Sequence, residues 1–328
     1  MAVFLLSAKP GRSYSAGVDD LFQNQIGAAT RFCAVYGQPI RHSGSPAMHN
    51  PALAKLGLDW RYLAFEVSPD ALGQAIDGAR AMQFVGLNLT VPHKLLAVEL
   101  VDALDESATT WGAVNTICFE AKGEGGDWTP LGQLAGPPAG EIRAKGHNTD
   151  AEAITLALRE DLGLSLAGQR VLLLGAGGAG RVAALKLAAE GVAELHLANR
   201  TAAKAEALAK EIAERFPQTK ATVGYPENTA DKIDLLLNAT SLGLKPDDAL
   251  PLDESQFSLA NAPAVFDMIY QPAVTPLLAK AAEAGCRTAN GLGMLLWQGA
   301  KALEIWTGQA APVEVMRAAL ESHVYGNE

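Results

Sequence analysis

A glycine-rich turn in the middle of the sequence has the spacing that dinucleotide cofactors require. Gly175, Gly177 and Gly180 follow the apolar run VLLL and precede a segment with helical periodicity. The first glycine permits a tight turn, the second lets the backbone approach a diphosphate, and the third lets the helix pack closely on the strand. The helix N-terminus then offers unpaired N–H groups to phosphate oxygens. The strand–turn–helix context therefore predicts dinucleotide binding rather than an ordinary glycine turn.

The end of the next predicted strand indicates which dinucleotide binds. Asn199, Arg200 and Thr201 stand there, and Lys204 follows on the next helical turn. NAD-binding domains usually place an acidic residue at this point, which accepts hydrogen bonds from the ribose hydroxyls. A carboxylate would repel a 2′-phosphate, whereas guanidinium, hydroxyl and ammonium groups would bind it. These residues favour NADP(H); the alternative is a solvated strand end with ordinary surface charge.

Two serines stand at a predicted helix start in the segment RHSGSP. Ser43 and Ser45 flank Gly44, and the next residue, Pro46, suits the first position of a helix. Ser45 alone is equally consistent with a simple helix cap. Two hydroxyl groups that flank a glycine at a helix start predict a binding site for a carboxylate.

Three further segments place polar side chains at strand ends and helix starts. NLTVPHK ends a predicted strand with Thr90 and begins a predicted helix near Lys94. AVNT places Asn115 within a predicted strand, where an exposed amide is unusual. GHNTD brings Asp150 to the start of another helix, where it is equally consistent with a cap. A fold alone does not need this concentration of polar groups, so these residues are candidates for a substrate site.

Strands and helices alternate from Phe32 onward, which predicts parallel βαβ units and an α/β fold. Strands are predicted at 32–37, 60–67, 85–91, 113–120, 170–175, 194–200, 233–241 and 264–270. Helices are predicted at 46–57, 71–82, 93–104, 150–163, 181–191, 202–216, 276–286, 295–308 and 311–323. Residues 1–31 are expected to form an extension, and residues 121–145, with their glycines and prolines, a long loop or irregular hairpin. The order fits two α/β domains that meet near Asp150 and Gly291.

Composition limits the class of protein. A length of 328 residues suits two domains of ordinary size, and 49% apolar with 19% charged residues is typical of a globular protein. A net charge of −10 argues against a nucleic-acid surface, which needs a basic stripe. No apolar run reaches the roughly 18 residues that a bilayer requires, and no basic segment marks a secretory signal. Three scattered cysteines without a CxxC pattern indicate a reducing compartment. We expect a cytoplasmic enzyme without a metal.

The polar segments and the glycine turn, in this order, resemble the shikimate dehydrogenase family. The shared motifs are HSxSP, NxTxPxK, GAVNT, NTD, GAGGA, NRT, NATS and NGLGMLxxQ. They stand at residues 42–46, 88–94, 112–116, 148–150, 175–179, 199–201, 238–241 and 290–298. The resemblance spans residues 32–308, and the joint occurrence of eight motifs makes it highly specific.

The resemblance implies a fold and a reaction. The fold would comprise a substrate-binding domain (1–149 plus 291–328) and a Rossmann-type NADP-binding domain (150–290), with a cleft between them. The reaction would be the reversible NADPH-dependent reduction of 3-dehydroshikimate to shikimate, in aromatic amino-acid biosynthesis.

The resemblance also implies roles for individual residues, with Lys94 and Asp150 as the catalytic pair. The residues that match substrate-binding positions are Ser43, Ser45, Thr90, Lys94, Asn115, Asp150, Tyr270 and Gln298. The residues expected to bind the cofactor, including Gly177 and Lys204 from the pattern above, are Gly175, Ala176, Gly177, Gly178, Ala179, Asn199, Arg200, Thr201, Lys204, Thr240, Met268 and Gly291.

The proposed pair suits carbonyl reduction. A hydride that reaches a ketone builds negative charge on oxygen, which a nearby ammonium group stabilises. Lysine and aspartate are both able to carry the proton, and the sequence leaves open which does. Because Lys94 and Asp150 fall in different predicted domains, we expect only closure of the cleft to bring them together.

Some departures from the family pattern leave the substrate open. Gly44 stands where lysine or leucine is common, Gly180 where alanine or serine is common, and His147 precedes the NTD motif. PIRHS, GMLLWQG and WTG also resemble the branch that includes quinate/shikimate dehydrogenases. The alternatives are an enzyme for quinate or a related polyol, and a non-catalytic NADP-binding regulator. The expected partners are a small-molecule substrate, no nucleic acid and no membrane, and the expected assembly is a monomer or homodimer.

Overall fold

The structure, a computed structural model, describes residues 26–228, 232–245 and 247–326. The chain divides into two compact units, residues 1–30 and 31–328. In the first, the Thr30 N–H donates to the Gly27 carbonyl (3.2 Å). The rest of the expected N-terminal extension lies outside the described residues. The second unit contains two sheets and helices on both faces of each. No helix among the described ranges is long and apolar enough to cross a membrane.

The first sheet is mixed. Its strands are β1 (Arg31–Gly37), β2 (Trp60–Glu66), β3 (Gly86–Leu89), β4 (Ala103–Leu104), β5 (Thr116–Lys122), β6 (Trp128–Pro130) and β7 (Ile142–His147). They lie in the order β2-β1-β3-β5-β7-β4, and β6 pairs with β5. β1, β2 and β3 are parallel, whereas β5 runs antiparallel to β3, β6 and β7. The helices between them are α1 (Ser45–Lys55), α2 (Leu72–Ala81) and α3 (Glu106–Trp111).

The second sheet is entirely parallel and has the Rossmann order. Its strands are β8 (Arg170–Leu174), β9 (Glu194–Ala198), β10 (Lys220–Val223), β11 (Leu235–Asn238), β12 (Ala264–Asp267) and β13 (Arg287–Asn290). They lie in the order β10-β9-β8-β11-β12-β13. Its helices are α4 (Asp150–Leu162), α5 (Gly178–Ala189), α6 (Ala202–Arg215) and α7 (Pro276–Glu283). The strand order reverses between β8 and β11, so a ligand crevice is expected at their carboxyl ends.

Alternating side chains on β8 bury both faces of this sheet. Val171 and Leu173 pack with α4, α5 and α6, whereas Leu172 and Leu174 pack with α7. Strands buried on both faces appear in a sequence as continuous apolar runs, which is why VLLL predicts a central strand.

The last two helices return to the first sheet. They are α8 (Leu292–Thr307), which also packs against α4, and α9 (Val313–Tyr325). Trp306 is fully buried, and its Nε1 donates to the Ile117 carbonyl (3.0 Å). Its indole ring fills the space over Gly86, where a side chain would collide with it. This packing fixes α8, and therefore Gln298, relative to the first sheet.

Most predicted strands and helices are confirmed, but the helix predicted at 93–104 is wrong. That segment forms turns, a 3-10 helix (Leu96–Glu99) and β4. Tertiary hydrogen bonds hold both ends of the segment outside a helix. His93 Nε2 lies 2.9 Å from the Val67 carbonyl, and the Asp102 carboxylate accepts from the Ala144 N–H (2.6 Å). Such contacts override intrinsic helix propensity.

Short strands were also missed. Residues 121–145 include β6, a 3-10 helix (Leu131–Gln133) and the start of β7, so the irregular-hairpin alternative is nearer than a plain loop. β10 and β13 were not predicted either. Both are four-residue strands at the two edges of the second sheet, and their sequences KATV and RTAN are only partly apolar.

Candidate active site

Lys94 and Asp150 form a close ion pair in the structure, 2.7 Å between Nζ and Oδ2. The Asp150 side chain is 8% exposed and that of Lys94 is 25% exposed, so solvent reaches the pair from the lysine side. The Val114 N–H donates to the Lys94 carbonyl (2.8 Å) and so ties the lysine backbone to the segment before β5. The expectation that the two residues meet only on closure of a cleft is therefore wrong.

Asp150 does not cap its helix, although it is the first residue of α4. The N-cap residue is Thr149, whose side chain makes no capping hydrogen bond, and the N–H of Ala151 in the first turn donates to Asn148 Oδ1 (3.1 Å). Because Asn148 satisfies that backbone group, the Asp150 carboxylate is left for Lys94 and for the amide described next.

The Asn115 amide is the centre of a buried hydrogen-bond network. Its Nδ2 donates to Asp150 Oδ1 (2.9 Å) and to Thr149 Oγ1 (2.9 Å), and lies 3.5 Å from Gln298 Oε1. Its Oδ1 accepts from the Thr149 N–H (2.7 Å). The predictions of an exposed amide within a strand were wrong, because Asn115 lies just before β5 and is 1% exposed. Its bonds join the end of the first sheet to α4 and α8.

A second set of buried groups, missed from the sequence, continues this network. Tyr62 Oη donates to Asn88 Oδ1 (2.7 Å), and Asn88 Nδ2 donates to Thr116 Oγ1 (3.0 Å). Thr116 Oγ1 in turn lies 3.3 Å from Thr149 Oγ1. Asn88, Thr116 and Thr149 stand inside the motifs quoted above, and buried polar side chains need such partners. Their position in the motifs was the signal that could have identified them.

The two serines lie at the start of α1 as predicted. Ser45 is the first helical residue rather than a cap, and its N–H lies 3.3 Å from Ser43 Oγ. Tyr270 approaches from the segment after β12: its hydroxyl faces the Gly44 N–H, and burial raises its pKa.

The remaining predicted substrate residues are Thr90 and Gln298. Thr90 is half-buried directly after β3, and its N–H donates to the Tyr36 carbonyl (3.0 Å). Gln298 is 9% exposed on α8, and its Nε2 donates to the Leu295 carbonyl (2.8 Å). The structure thus brings hydroxyl, amide, carboxylate and ammonium groups from both ends of the chain to one place.

The glycine turn has the geometry of a phosphate cradle. Gly175 has φ +101°, a conformation that favours glycine, and a side chain at Gly180 would collide with the Gly175 carbonyl. Gly177 and Gly178 have open space where side chains would lie. No side chain caps the N-terminus of α5, so its N–H groups are available to a phosphate.

The adenosine-side residues also fit a phosphorylated cofactor. Asn199 Oδ1 accepts from the Ala176 N–H (2.9 Å) and Nδ2 donates to the Thr201 carbonyl (2.8 Å), which fixes this strand end to the glycine turn. Arg200 and Lys204 are exposed, and neither has an ion-pair partner within the described ranges. Two unpaired cations beside a diphosphate turn suit a 2′-phosphate.

Three further cofactor candidates converge at the carboxyl ends of the second sheet. Thr240 lies against Gly175, since a side chain on that glycine would come within 2.9 Å of Thr240 Cγ2. The Met268 N–H donates to the Asn238 carbonyl (3.0 Å). Gly291 lies so close to the Met268 carbonyl that a side chain would collide with it.

His147 and Asp105 form a second, partly buried pair near the substrate residues. His147 Nδ1 lies 2.8 Å from Asp105 Oδ2, and Asp105 caps α3 by accepting from the Ala108 N–H (2.8 Å). Burial acts to raise the pKa of Asp105, but hydrogen bonds from His147, Ser107 and Ala108 outweigh it and lower the pKa to about 2. The Asn148 N–H donates to Ser107 Oγ (2.8 Å), so this pair holds the strand end that leads to Asp150.

Comparison with known proteins identifies the family. Family models match as the shikimate dehydrogenase substrate binding domain (residues 35–117), shikimate/quinate 5-dehydrogenase (156–243) and the shikimate 5′-dehydrogenase C-terminal domain (291–321). A shikimate dehydrogenase (NADP+) of Methanopyrus kandleri is 40% identical over 91% of this chain and 98% of its own length. The chain belongs to the shikimate dehydrogenase family.

Similar solved structures have the same fold. A shikimate dehydrogenase in complex with NADP+ has a TM-score of 0.77 and 37% identity, covering 92% of this chain and 98% of its own. The ligand-free 5-ketofructose reductase of Gluconobacter sp. strain CHM43 has a TM-score of 0.73 and 34% identity, covering 90% and 99%. The expected fold, a substrate-binding domain and a Rossmann-type domain with a cleft between them, is confirmed.

Proposed function

We propose that this protein is an NADP-dependent shikimate dehydrogenase, which reversibly reduces 3-dehydroshikimate to shikimate in aromatic amino-acid biosynthesis. The observation on which this proposal chiefly rests is the Lys94–Asp150 pair, 2.7 Å apart inside a hydrogen-bonded amide cluster. A non-catalytic regulator would have no need of an ammonium–carboxylate pair in a half-open site.

The surrounding groups suit a carboxylated polyol. Ser43 and Ser45 at the start of α1 would bind the carboxylate, and Tyr270 would complete this end of the site. Thr90, Asn115, Asp150 and Gln298 would hold the ring hydroxyls. Hydroxyl and amide groups that are held in place by a buried network lose little freedom when substrate binds, which favours a precise orientation.

Bound NADPH supplies the hydride. Lys94 stabilises the negative charge that develops on the carbonyl oxygen, because its ammonium group is held by Asp150 and cannot rotate freely away. The same two residues form the path for the proton, since Lys94 reaches solvent and Asp150 does not. Asn115 fixes the Asp150 carboxylate from the other side.

The cofactor would bind across the carboxyl edge of the second sheet. Its diphosphate would lie on residues 175–179 and its 2′-phosphate on Asn199, Arg200, Thr201 and Lys204. Its nicotinamide would lie beside Thr240, Met268 and Gly291. The open space at Gly177 and Gly178 and the unpaired Arg200 support this placement.

The same proposal covers the domain limits and the setting. The substrate-binding domain would comprise residues 1–149 plus 291–328 and the NADP-binding domain residues 150–290, so that α4 and α8 join them. We place the enzyme in the cytoplasm, as a monomer or homodimer, with a small-molecule substrate as its partner.

A steady-state assay that compares shikimate, quinate and 5-ketofructose, each with NADP(H) and NAD(H), tests the function. We expect the highest kcat/KM with shikimate and NADP+. Ser43→Ala and Ser45→Ala should raise the KM for shikimate and leave the KM for NADP+ unchanged. Highest activity with quinate would favour the alternative that the shikimate/quinate family model covers. Turnover of none of the three, with NADP(H) still bound, would overturn the proposed substrate class.

A further inference from the structure

A second buried carboxylate lies at the carboxyl end of β12, outside the Lys94–Asp150 site. Asp267 is fully buried and accepts three hydrogen bonds. The donors are Asn238 Nδ2 (3.0 Å), the Ile269 N–H (3.0 Å) and Thr275 Oγ1 (2.7 Å). Each belongs to a different segment, so the acid joins the ends of β11 and β12 to the start of α7.

The surroundings of Asp267 offer hydrogen-bond donors to both oxygens of the carboxylate. Asn238 Oδ1 accepts from the Thr240 N–H (3.0 Å), which fixes the amide with its Nδ2 toward Asp267. The Ile269 N–H can only donate. Burial raises the pKa of Asp267, whereas the three hydrogen bonds act to lower it. In the ranges that the structure describes, no cation lies within ion-pair distance, and a buried charge without a counter-ion is uncommon in proteins.

The location of this charge connects it with the cofactor. The Asn238 amide bonds Asp267 on one side and the Thr240 hydroxyl (2.8 Å) on the other. Met268 follows Asp267 directly, and Gly291 packs on the Met268 backbone. The three residues that would flank the nicotinamide are therefore each one step from Asp267: Thr240 through the Asn238 amide, Met268 along the chain, and Gly291 through Met268. This step rests on the proposed cofactor site.

We propose that Asp267 is a fixed negative charge beneath the nicotinamide subsite, which stabilises the oxidised ring relative to the reduced ring. When a hydride leaves NADPH, it takes two electrons and one proton, and the ring changes from neutral to singly positive. A buried carboxylate nearby favours the positive form, because the low local dielectric leaves its field poorly screened. Asp267 thus promotes ketone reduction without touching substrate, as a positioning and electrostatic residue.

The test compares the affinities of the two cofactor forms in the absence of substrate. Asp267→Asn keeps the size of the side chain, and its amide can retain all three hydrogen bonds once the Thr275 hydroxyl reverses. We expect the ratio of Kd for NADP+ to Kd for NADPH, measured by fluorescence titration, to rise on the order of tenfold. The kcat for ketone reduction should fall by a similar factor, with little change in the KM of the ketone.

Thr275→Val is the matched control. It removes one hydrogen bond from the same network but keeps the carboxylate, so it should lower the melting temperature and leave the Kd ratio within about twofold of wild type. If Asp267→Asn does not fold, Asp267→Ser gives the neutral variant for the same titration.

The outcomes separate this inference from the proposed function. Equal loss of affinity for both cofactor forms in the Asp267 variants would reduce the residue to a structural role and overturn the inference. A shifted Kd ratio in a protein that turns over neither shikimate nor a related ketone would overturn the proposed function alone. Failure of wild type to bind NADP(H) would overturn both.

Discussion

The two strand-end networks hold their carboxylates in different ways. Asp150 shares one oxygen with Lys94 and the other with the Asn115 amide, and its cationic partner reaches solvent. Asp267 is sealed from solvent, and its described partners are neutral donors. One acid is thus part of a pair that can exchange protons, whereas the other is a charge that stays in place. The difference separates proton handling from electrostatic support within one reaction.

The largest effect on kcat is expected from a change in the Lys94–Asp150 pair. Lys94→Ala should lower kcat about a thousandfold, because the ammonium group interacts with charge that exists only in the transition state. NADPH affinity should stay within about twofold of wild type, as measured by fluorescence titration.

Lys145→Ala is the control for removing a lysine from the first sheet. Lys145 lies on β7, 3.7 Å from Glu120, and its loss should leave kcat unchanged. A folded Lys94→Ala protein with wild-type kcat would contradict the catalytic role of Lys94. The family resemblance would then support only a binding role.

Removal of the Asp150 carboxylate should lower kcat less than removal of Lys94, and its effect should depend on whether Lys94 is present. Asp150→Ala should lower kcat about a hundredfold and raise the KM for shikimate, since the carboxylate both holds Lys94 and would hold a ring hydroxyl. The double variant with Lys94→Ala should be little worse than the poorer single variant, because residues that act as a unit are not additive. Glu152→Gln, in the same helical turn, should behave as wild type. Fully additive losses would show that the two residues act independently.

Cofactor choice should change by about one order of magnitude. Arg200→Ala removes one charge-assisted contact of roughly 1.5–3 kcal/mol and should lower kcat/KM for NADP+ about tenfold or more, with little change for NAD+. Lys210→Ala, an exposed lysine further along α6, is the control. Equal efficiency of the wild type with both cofactors would contradict the assignment of Asn199, Arg200 and Thr201.

The two networks also differ in how far the sequence predicts them. The turn at 175–180 was predicted from residue types because a buried parallel strand, a glycine spacing and a helix are all local patterns. The motifs predict the substrate residues, but no local pattern indicates that Lys94 and Asp150 already touch, or that Asn115 is buried. Those facts depend on α4, α8 and β5 meeting, which is long-range packing.

The wrong helix prediction at 93–104 and the failure to predict the role of Asp267 also arise from long-range contacts. Residues 93–104 have the composition of a helix, yet His93 and Asp102 bond to neighbouring segments and the chain follows them. The sequence does not single out Asp267, because an aspartate after an apolar run is typical of an ordinary strand end. Only the folded structure shows that it is fully buried with three hydrogen-bond donors around it.

The smallest expected effect is a difference in how stability depends on pH between a partly buried acid, Asp105, and a fully buried one, Asp267. The pKa of Asp105 is lowered to about 2, so its stabilising contribution is present above the ordinary pKa near 3.8 and is lost as the pH falls toward 2. Asp105→Asn should therefore cost about 2 kcal/mol at pH 6 and much less near pH 2.5, since one pKa unit corresponds to about 1.4 kcal/mol.

The contribution of Asp267 to stability should change with pH in the opposite direction. Burial raises its pKa, so its contribution is present below the ordinary pKa and is lost as the pH rises through the folded-state value. The stability of wild type relative to Asp267→Asn should therefore fall between pH 3 and pH 6, while that relative to Asp105→Asn rises. Urea unfolding of the three proteins across this range measures both differences. Parallel trends for the two variants would mean that Asp267 is stabilised by its neighbours as strongly as Asp105 is. The contrast between an acid paired with His147 and a buried acid with only neutral donors among the described residues would then not hold.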